Sequence, residues 1–350
     1  MESGAATLRE IHSQPEVWVR CLGTLDKLDL DRLVGNKDPR TYEWIFVGCG
    51  TSYYLSQAAA ATFTSLTGAP ARAVPASEIL LFPKLAFPSD EAAHFPVLIS
   101  RSGHTSEVLQ VAEFLRLHGV EFMAVTCDGN ELTELSTRML KLPVTEESTV
   151  MTSSFTSMLL ALQYIAARFA KQDEFVSALH SLPASLEKLL RNYVPKIEEL
   201  AQRSFDDVAI LGQGPFYPIA SETALKIMES SSSYAQFFHT LEFRHGPMSI
   251  VSEKVLVGAL LSESGYAEES AVLLEMKSLG GCTLAIGNQI SPEIERSADL
   301  SIELALVVPE FARLVVYVVW GQLLGSCLGL RKGLNPDAPR HLSRVVTLVD

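Results

Sequence analysis

WIFVGCGTSY (residues 44–53) and VLISRSGHTSE (residues 97–107) decide the fold, because each is an apolar run that stops at small or hydroxyl-bearing residues. The pattern recurs as VAILGQGPFYP (residues 208–218) and LVGALLSESGYAEE (residues 256–269). Equivalent glycines of the two copies lie 164 residues apart, and equivalent serines lie 162 residues apart. So small a drift over such a distance indicates a duplicated domain.

Short, fully apolar runs of this kind are typical of parallel strands that are buried on both faces and carry a ligand site at their carboxyl ends. The sequence therefore predicts an α/β protein with two flavodoxin-like parallel sheets, each flanked by helices. We expect an N-terminal helical segment (1–40), a first domain (41–190), a second domain (191–332) and a C-terminal tail (333–350). The apolar spacing of residues 181–204 predicts a helical linker, and the apolar end of the tail predicts that it docks.

Two further segments are expected to be helical. In TLREIHSQPEVWVRCL (residues 7–22), Thr7 lies three residues before Glu10, which is the spacing of a capping box. Residues 314–330 carry no charge and approach the length of a membrane span. They contain Gln322 and several small residues, so we interpret them as a buried core helix and expect no membrane association.

Charge and cysteine usage exclude several classes of function. The chain has 28 basic and 41 acidic side chains, a formal net charge of -13, and no basic block, which argues against nucleic-acid binding. The five cysteines lack CxxC spacing, so neither a disulfide framework nor a zinc site is expected. The N-terminus lacks the basic start and apolar core of a signal peptide. We therefore expect a cytoplasmic protein.

Three clusters of hydroxyl side chains lie at predicted strand ends or helix starts of the first domain. They are Gly50-Thr51-Ser52, the group Ser100, Arg101, Ser102 and Thr105, and Thr152-Ser153. A single cluster is more often only a helix cap, but three in one α/β unit favour a phosphate site built from hydroxyls, backbone N–H groups and helix dipoles. Neither Gly-x-Gly has the third glycine of a dinucleotide fingerprint, and no Walker A motif is present.

Six motifs in one order resemble the proteins with two sugar isomerase (SIS) domains. They are GCGTS, SRSGHTSE, VMTSSFT, SETALKIME, FRHGP and PRHLSRVVT. The resemblance covers nearly the whole chain. The best-known member of this family is the isomerase half of glucosamine-6-phosphate synthase. MTSSFT and FRHGP are most similar to the subgroup of galactosamine-6-phosphate deaminase/isomerases and tagatose-6-phosphate ketose/aldose isomerases.

The resemblance assigns roles to residues of this chain. It implies that the hydroxyl clusters hold a sugar phosphate and that Glu229 moves a proton between C1 and C2 of the sugar. It also implies that His245 opens the sugar ring from a neighbouring subunit, so that a homodimer shares its active sites. Glu222, Lys226 and Glu229 lie at i, i+4 and i+7, on one helix face. Spacing alone would favour a solvated, salt-bridged face.

The chain also departs from the synthase pattern. A tail lysine that forms a Schiff base in the synthase is replaced by Arg344, whose guanidinium stays protonated and cannot be that nucleophile. Arg344 could bind an oxyanion, polarise a carbonyl or fix the tail, and Lys226 is expected to pair with Glu222 or Glu229. The chain begins Met1-Glu2 without a cysteine nucleophile, so we expect no glutaminase activity.

These observations predict an aldose/ketose isomerase that acts on a hexose or amino-hexose 6-phosphate without a cofactor or metal. With an amino sugar, the expected reaction is a deaminating isomerisation that releases ammonia. One alternative is a fructosamine-6-phosphate deglycase, which would need an extra cation or an open groove near C1. A second is a sugar-phosphate-binding regulator without activity, which could dispense with Glu229 and His245.

Overall fold

The computed structural model describes residues 3–35, 38–88, 93–129 and 131–347. These residues form two compact units that are interleaved along the chain. Unit 1 comprises the described residues within 1–15, 147–152 and 181–342, and unit 2 those within 16–146, 153–180 and 343–350.

Unit 2 is built on a five-stranded sheet in which every pair of neighbours is parallel. Its strands are β1 Glu43–Gly48, β2 Ala71–Pro75, β3 His94–Ile99, β4 Met123–Thr126 and β5 Arg138–Lys141. The spatial order is β2-β1-β3-β4-β5, which is the flavodoxin-like order. The order reverses between β1 and β3, so the loops that follow these two strands lie at the position where such sheets bind ligands.

Unit 1 repeats this arrangement. Its strands are β6 Asp207–Gly212, β7 Tyr234–Phe238, β8 Val255–Leu261, β9 Cys282–Gly287 and β10 Leu300–Glu303. The order is β10-β9-β8-β6-β7, again with parallel neighbours only. Counted from the first strand of each unit, the two orders are the same. The predicted duplicated α/β fold is therefore confirmed.

Helices cover both sheets. In chain order they are α1 Ala5–His12, α2 Gln14–Leu25, α3 Leu30–Val34, α4 Thr51–Thr67, α5 Ala76–Leu81, α6 Pro83–Ala86, α7 Ser106–Leu117, α8 Glu131–Leu135, α9 Ser153–Phe169, α10 Asp173–Ala201, α11 Tyr217–Ser231, α12 Tyr266–Ser278, α13 Pro292–Ser297 and α14 Leu314–Arg331. Within unit 2, α4 packs on β1 and β2, and within unit 1, α11 packs on β6 and β7. Other strand side chains pack with α7 in unit 2 and with α12 in unit 1 and are fully buried, for example Ile45 and Leu98 in unit 2 and Ala209 and Val257 in unit 1.

The predicted capping box at the N-terminus is wrong. Residues 7–22 are divided between α1 and α2, and α1 begins after Gly4, so Thr7 lies inside the helix. The Thr7 hydroxyl donates to Asp337 at 2.7 Å, and the carboxylate of Glu10 accepts the backbone N–H of Ser148 at 3.1 Å. Both side chains therefore make long-range bonds in place of the local cap that their spacing suggests.

The other two helix predictions are confirmed. Most of the expected linker lies in α10. The apolar segment 314–330 lies in α14, and Glu310–Arg331 is the one helix of the described residues whose length and composition would allow it to cross a membrane. Its most apolar window is 89% buried inside the protein, as expected of a core helix. Within unit 1, α14 packs against α11.

Candidate active site

Each sheet ends its first strand in a turn that only glycine can form. A Cβ on Gly48 would lie 2.5 Å from the carbonyl oxygen of Ser52, and a Cβ on Gly212 would lie 2.4 Å from that of Phe216. The second glycine of each motif has positive φ, 53° at Gly50 and 54° at Gly214. In unit 2 the helix α4 begins directly after Gly50, whereas in unit 1 a short 3-10 turn, Gly214–Phe216, precedes α11.

The turn after β3 in unit 2 contains several hydroxyls bonded to backbone N–H groups. Ser100 Oγ accepts the N–H of Gly103 at 3.1 Å and lies 3.2 Å from Thr105 Oγ1. Ser102 Oγ accepts the N–H of His104 at 3.2 Å. The first turn of α7 follows, so hydroxyls and the positive end of a helix dipole lie in one short loop. This arrangement is suited to an anionic oxygen.

The other residues predicted for the phosphate site lie at helix starts. Gly50 is the N-cap of α4, and Thr51 and Ser52 are buried in its first turn. Thr152, in unit 1, is buried, and its carbonyl accepts the side chain of Gln322 at 3.1 Å. Ser153, in unit 2, is the first residue of α9. Ser52 therefore shares unit 2 with Ser100 and Ser102, whereas Thr152 belongs to unit 1.

A buried carboxylate that the sequence did not reveal holds part of this region in place. Glu146, 2% exposed, accepts hydrogen bonds from Arg101 at 3.1 Å, from the Ser153 hydroxyl at 3.0 Å, and from the N–H and hydroxyl of Ser154 at 2.8 and 2.6 Å. The charges of Arg101 and Glu146 therefore compensate each other inside unit 2. A glutamate next to hydroxyl residues has no distinctive sequence signal, which is why it was missed.

Glu222, Lys226 and Glu229 lie together on α11 in unit 1. Lys226 Nζ is 3.4 Å from Glu222 Oε1 and also donates a hydrogen bond to Glu229. The side chains of Glu222 and Lys226 are 0% and 1% exposed, whereas that of Glu229 is 18% exposed. The group is therefore a buried ion triad with one carboxylate that reaches solvent, and it does not form the solvated face that spacing alone suggests.

The triad keeps Lys226 charged. Burial alone would lower the pKa of Lys226, but the two neighbouring carboxylates outweigh burial and raise the pKa above its ordinary value. An amine that stays protonated is a poor nucleophile toward a carbonyl. Lys226 is therefore suited to hold and orient Glu229.

Three glycines on α14 let α11 approach closely. A Cβ on Gly321 would lie 2.5 Å from the Thr223 side chain, and a Cβ on Gly325 would lie 2.7 Å from the carbonyl oxygen of Lys226. A Cβ on Gly329 would contact the carbonyl oxygen of Ser230. These glycines recur every four residues, so they form one stripe along α14. The stripe positions the helix that carries the triad.

Glu229 also borders a small cavity of about 30 Å³ in unit 1. The opposite wall is formed by residues 334–340, which include Asn335 and Arg340. This segment is anchored within unit 1, since the Asn335 side chain accepts the N–H of Gly4 at 3.0 Å and Asp337 accepts that of Thr7 at 2.7 Å. The carboxylate of Glu229 is therefore partly covered by an ordered segment.

The predicted ring-opening histidine lies on the surface of the described chain. His245 is exposed and follows the short turn Glu242–Arg244 after β7. His239, in contrast, stacks on Tyr217 with ring centroids 3.8 Å apart. His104 is paired with Glu131 at 3.2 Å. Exposure leaves the imidazole of His245 accessible to a substrate or to another chain.

The end of the C-terminal tail, from Ser343 onward, is hydrogen-bonded within unit 2, as its predicted docking requires. Arg344 lies 3.3 Å from Asp128 through its guanidinium, and its carbonyl accepts a hydrogen bond from Arg101 at 3.1 Å. The carbonyl of Val346 accepts the N–H of Ser106, at the start of α7, at 3.3 Å. Of the roles left open for Arg344, this geometry favours fixing the tail. The last part of the tail, 348–350, lies outside the described residues.

Several known proteins are similar to this chain in sequence and in structure. The chain is 26% identical, over 97% of its length, to the glutamine–fructose-6-phosphate aminotransferase of Methanothermobacter thermautotrophicus, and it spans 57% of that protein. It superposes on glucosamine-6-phosphate deaminase from Thermotoga maritima with a TM-score of 0.82 and 27% identity, covering 98% of this chain and all of the other. Tagatose-6-phosphate ketose/aldose isomerase from Escherichia coli superposes with a TM-score of 0.83 and 21% identity, covering 95% of both chains.

The family assignment rests on both halves of the chain. The SIS domain model matches residues 43–168 and again residues 203–320. The first match contains β1 through β5, and the second contains β6 through β10. The chain thus belongs to the SIS domain family and carries two copies of that domain.

Proposed function

We propose that the protein is an aldose/ketose isomerase for a hexose or amino-hexose 6-phosphate and that its amino-sugar reaction releases ammonia. The observation that supports this most is Glu229, a partly exposed carboxylate held by a lysine that stays cationic. Such a group can accept and return a proton while its geometry stays fixed. A phosphorylated sugar as substrate is supported by the similarity of the chain to the aminotransferase, the deaminase and the ketose/aldose isomerase named above.

The proposed chemistry needs one base and one ring-opening group. His245 relays the proton that opens the pyranose ring, and Glu229 then removes the proton at C2 of the open-chain 2-amino aldehyde. The proton returns at C1, O1 takes up a proton to become a hydroxyl, and the 2-amino group gives up a proton, so that C2 becomes an imine. Water adds to C2 of the imine and ammonia leaves, which gives the ketose 6-phosphate. With a 2-hydroxy aldose, the same proton transfer gives the ketose directly.

We assign phosphate binding to the turn after β3 and to the first turn of α4. Ser52, Ser100, Ser102 and Thr105 would donate hydroxyl hydrogen bonds, and the backbone at Gly50 and Thr51 would support them. Arg101 and Ser153 are engaged by Glu146, so we assign them to positioning this region. A site of this kind needs no net positive charge, because backbone N–H groups and helix dipoles attract the anion.

Replacing Ser102 by Ala is expected to weaken phosphosugar binding by about 10- to 100-fold, because one hydrogen bond to a charged oxygen is lost. Calorimetric titration with fructose 6-phosphate measures the effect. Ser136→Ala is a matched control, because Ser136 Oγ also accepts the N–H two residues ahead, from Arg138 at 3.1 Å, but lies at β5. Equal affinity of the Ser102→Ala and wild-type proteins would remove this turn from the phosphate site.

We further propose a cytoplasmic homodimer in which His245 serves the active site of its partner. Glu229→Gln and His245→Asn chains should each be inactive, and mixing them should restore part of the activity, since some mixed dimers regain one intact site. The activity of each variant mixed with itself is the control. If subunit exchange is verified by mass spectrometry and no activity returns, the shared site is rejected.

A further inference from the structure

The second copy of the hydroxyl turn encloses one of the chain's own carboxylates. SESGYAEE (residues 262–269) follows β8 as SRSGHTSE (residues 100–107) follows β3. The N–H of Ser262 donates to Glu269 Oε2 at 2.6 Å, and the Ser262 hydroxyl donates to Glu269 Oε1 at 2.8 Å. Glu269 is 1% exposed. An N–H and a hydroxyl of this turn are therefore already bonded to an anionic group.

The carboxylate fits closely against the backbone of the turn. The N–H of Gly265, the N-cap of α12, donates to Ser262 Oγ at 2.9 Å. A Cβ on Gly265 would lie 2.7 Å from Glu269 Oε1. N–H and hydroxyl groups at a helix start are the donors that proteins use for a phosphate oxygen. In unit 1, the oxygens of Glu269 occupy that place.

The first copy has a glutamate at the matching position but uses it differently. Glu107 lies beside Cys49, where burial and the neighbouring carboxylate raise the pKa of the thiol to about 12. The N–H of Ser100 donates to the carbonyl of Val125 at 3.1 Å, and the Ser100 hydroxyl contacts Gly103 and Thr105. The backbone N–H and the hydroxyl of Ser100 therefore bond to groups other than Glu107.

The charges around the second turn also disfavour phosphate. A cavity of about 370 Å³ beside it is lined by groups that include Ser262, Glu263 and Asn288. The N–H of Glu263 donates to Glu310 at 2.5 Å, and Arg313 pairs with the Glu263 carboxylate at 2.5 Å. Three carboxylates, those of Glu263, Glu269 and Glu310, thus lie at this turn, and one guanidinium, that of Arg313, pairs with the first of them. A phosphate dianion would meet net repulsion there.

We propose that Glu269 is a built-in ligand of the unit 1 turn and that it closes this turn to the phosphate group of a phosphosugar. The built-in ligand follows from the contacts of unit 1 by themselves. The closure of this turn to a phosphosugar rests on the proposed function. The two parts can therefore fail separately.

Anion rescue tests the built-in ligand. Glu269→Ala leaves the N–H of Ser262 buried without its partner and should lower the melting temperature by several degrees. Acetate, compared with chloride at equal ionic strength, should restore part of that loss, because it supplies a carboxylate to the vacated space. Acetate should not raise the melting temperature of the wild type, of Glu269→Gln, or of the matched control Glu107→Ala. If acetate stabilises Glu107→Ala as much as Glu269→Ala, or neither of them, the built-in ligand is rejected.

Stoichiometry of the wild-type protein tests the second part and does not depend on any variant folding. Calorimetric titration with fructose 6-phosphate should give one site per chain, and Ser102→Ala should weaken that site. Two sites per chain would overturn the proposal. If no phosphosugar binds, the proposed function fails, and the acetate experiment still decides the role of Glu269.

Discussion

Glu229→Gln is expected to lower turnover by roughly two to four orders of magnitude while phosphosugar binding survives. Glutamine keeps the shape of the side chain and can still accept a hydrogen bond from Lys226, but it has no oxygen basic enough to take a proton from carbon. The loss should therefore appear in kcat and leave the dissociation constant of fructose 6-phosphate nearly unchanged. Steady-state kinetics and calorimetric titration measure the two quantities.

Glu43→Gln is the matched control for this substitution. The Glu43 side chain is 29% exposed and paired with Arg72 at 2.7 Å, so the change likewise removes one carboxylate from a half-buried ion pair. Its turnover should stay close to that of the wild type. A Glu229→Gln protein with wild-type turnover would show that another group is the base, and Glu222 would be the next residue to replace.

Lys226→Met is expected to destabilise the protein by about 3–5 kcal/mol, because it leaves a fully buried carboxylate without its cation. Glu222 is the carboxylate concerned, since Glu229 can turn toward solvent whereas Glu222 is enclosed. The double variant Lys226→Met/Glu222→Gln removes both charges and should recover most of the lost stability. Denaturant unfolding of the two variants measures this difference.

An exposed pair of similar geometry provides the control. Glu187 and Arg191 lie four residues apart on α10 at 2.6 Å, and both are exposed. Arg191→Met should change stability by about 0.3–0.5 kcal/mol at most, as for other exposed helix pairs. Equal effects of the Lys226 and Arg191 substitutions would contradict the account of Lys226 as a buried charge that the fold depends on.

The fold can be predicted from the sequence because each buried strand is visible as a local run of apolar residues. Apolar runs that end in Gly-x-Gly or Ser-x-Ser-Gly mark β1, β3, β6 and β8, and the repeat spacing connects the two sheets. The helical period predicts that Glu222, Lys226 and Glu229 share one face of α11. The burial of this triad does not follow from that period, because it depends on the glycine stripe of α14 packing against α11.

The sequence does not predict which side chains bond to residues far away along the chain. Thr7 and Glu10 have the spacing of a capping box, yet tertiary bonds to Asp337 and Ser148 override the local preference. Arg101 lies in a turn whose hydroxyls predict a phosphate site, yet its guanidinium donates to Glu146, which comes from a separate segment. Nothing in the local sequence distinguishes Asp337 and Glu146 from ordinary surface carboxylates.

The proposed reaction moves a proton between C1 and C2 of a hexose 6-phosphate. Wild-type protein incubated in D2O with glucosamine, galactosamine and fructose 6-phosphates tests it most directly, with NMR following the C1 and C2 hydrogens and a coupled assay following ammonia. We predict that the wild-type protein incorporates deuterium into at least one of these sugars and releases ammonia from an amino sugar. Glu229→Gln should not incorporate deuterium at the wild-type rate. Binding of these phosphosugars without any deuterium incorporation would contradict the account and favour a sugar-phosphate-binding regulator.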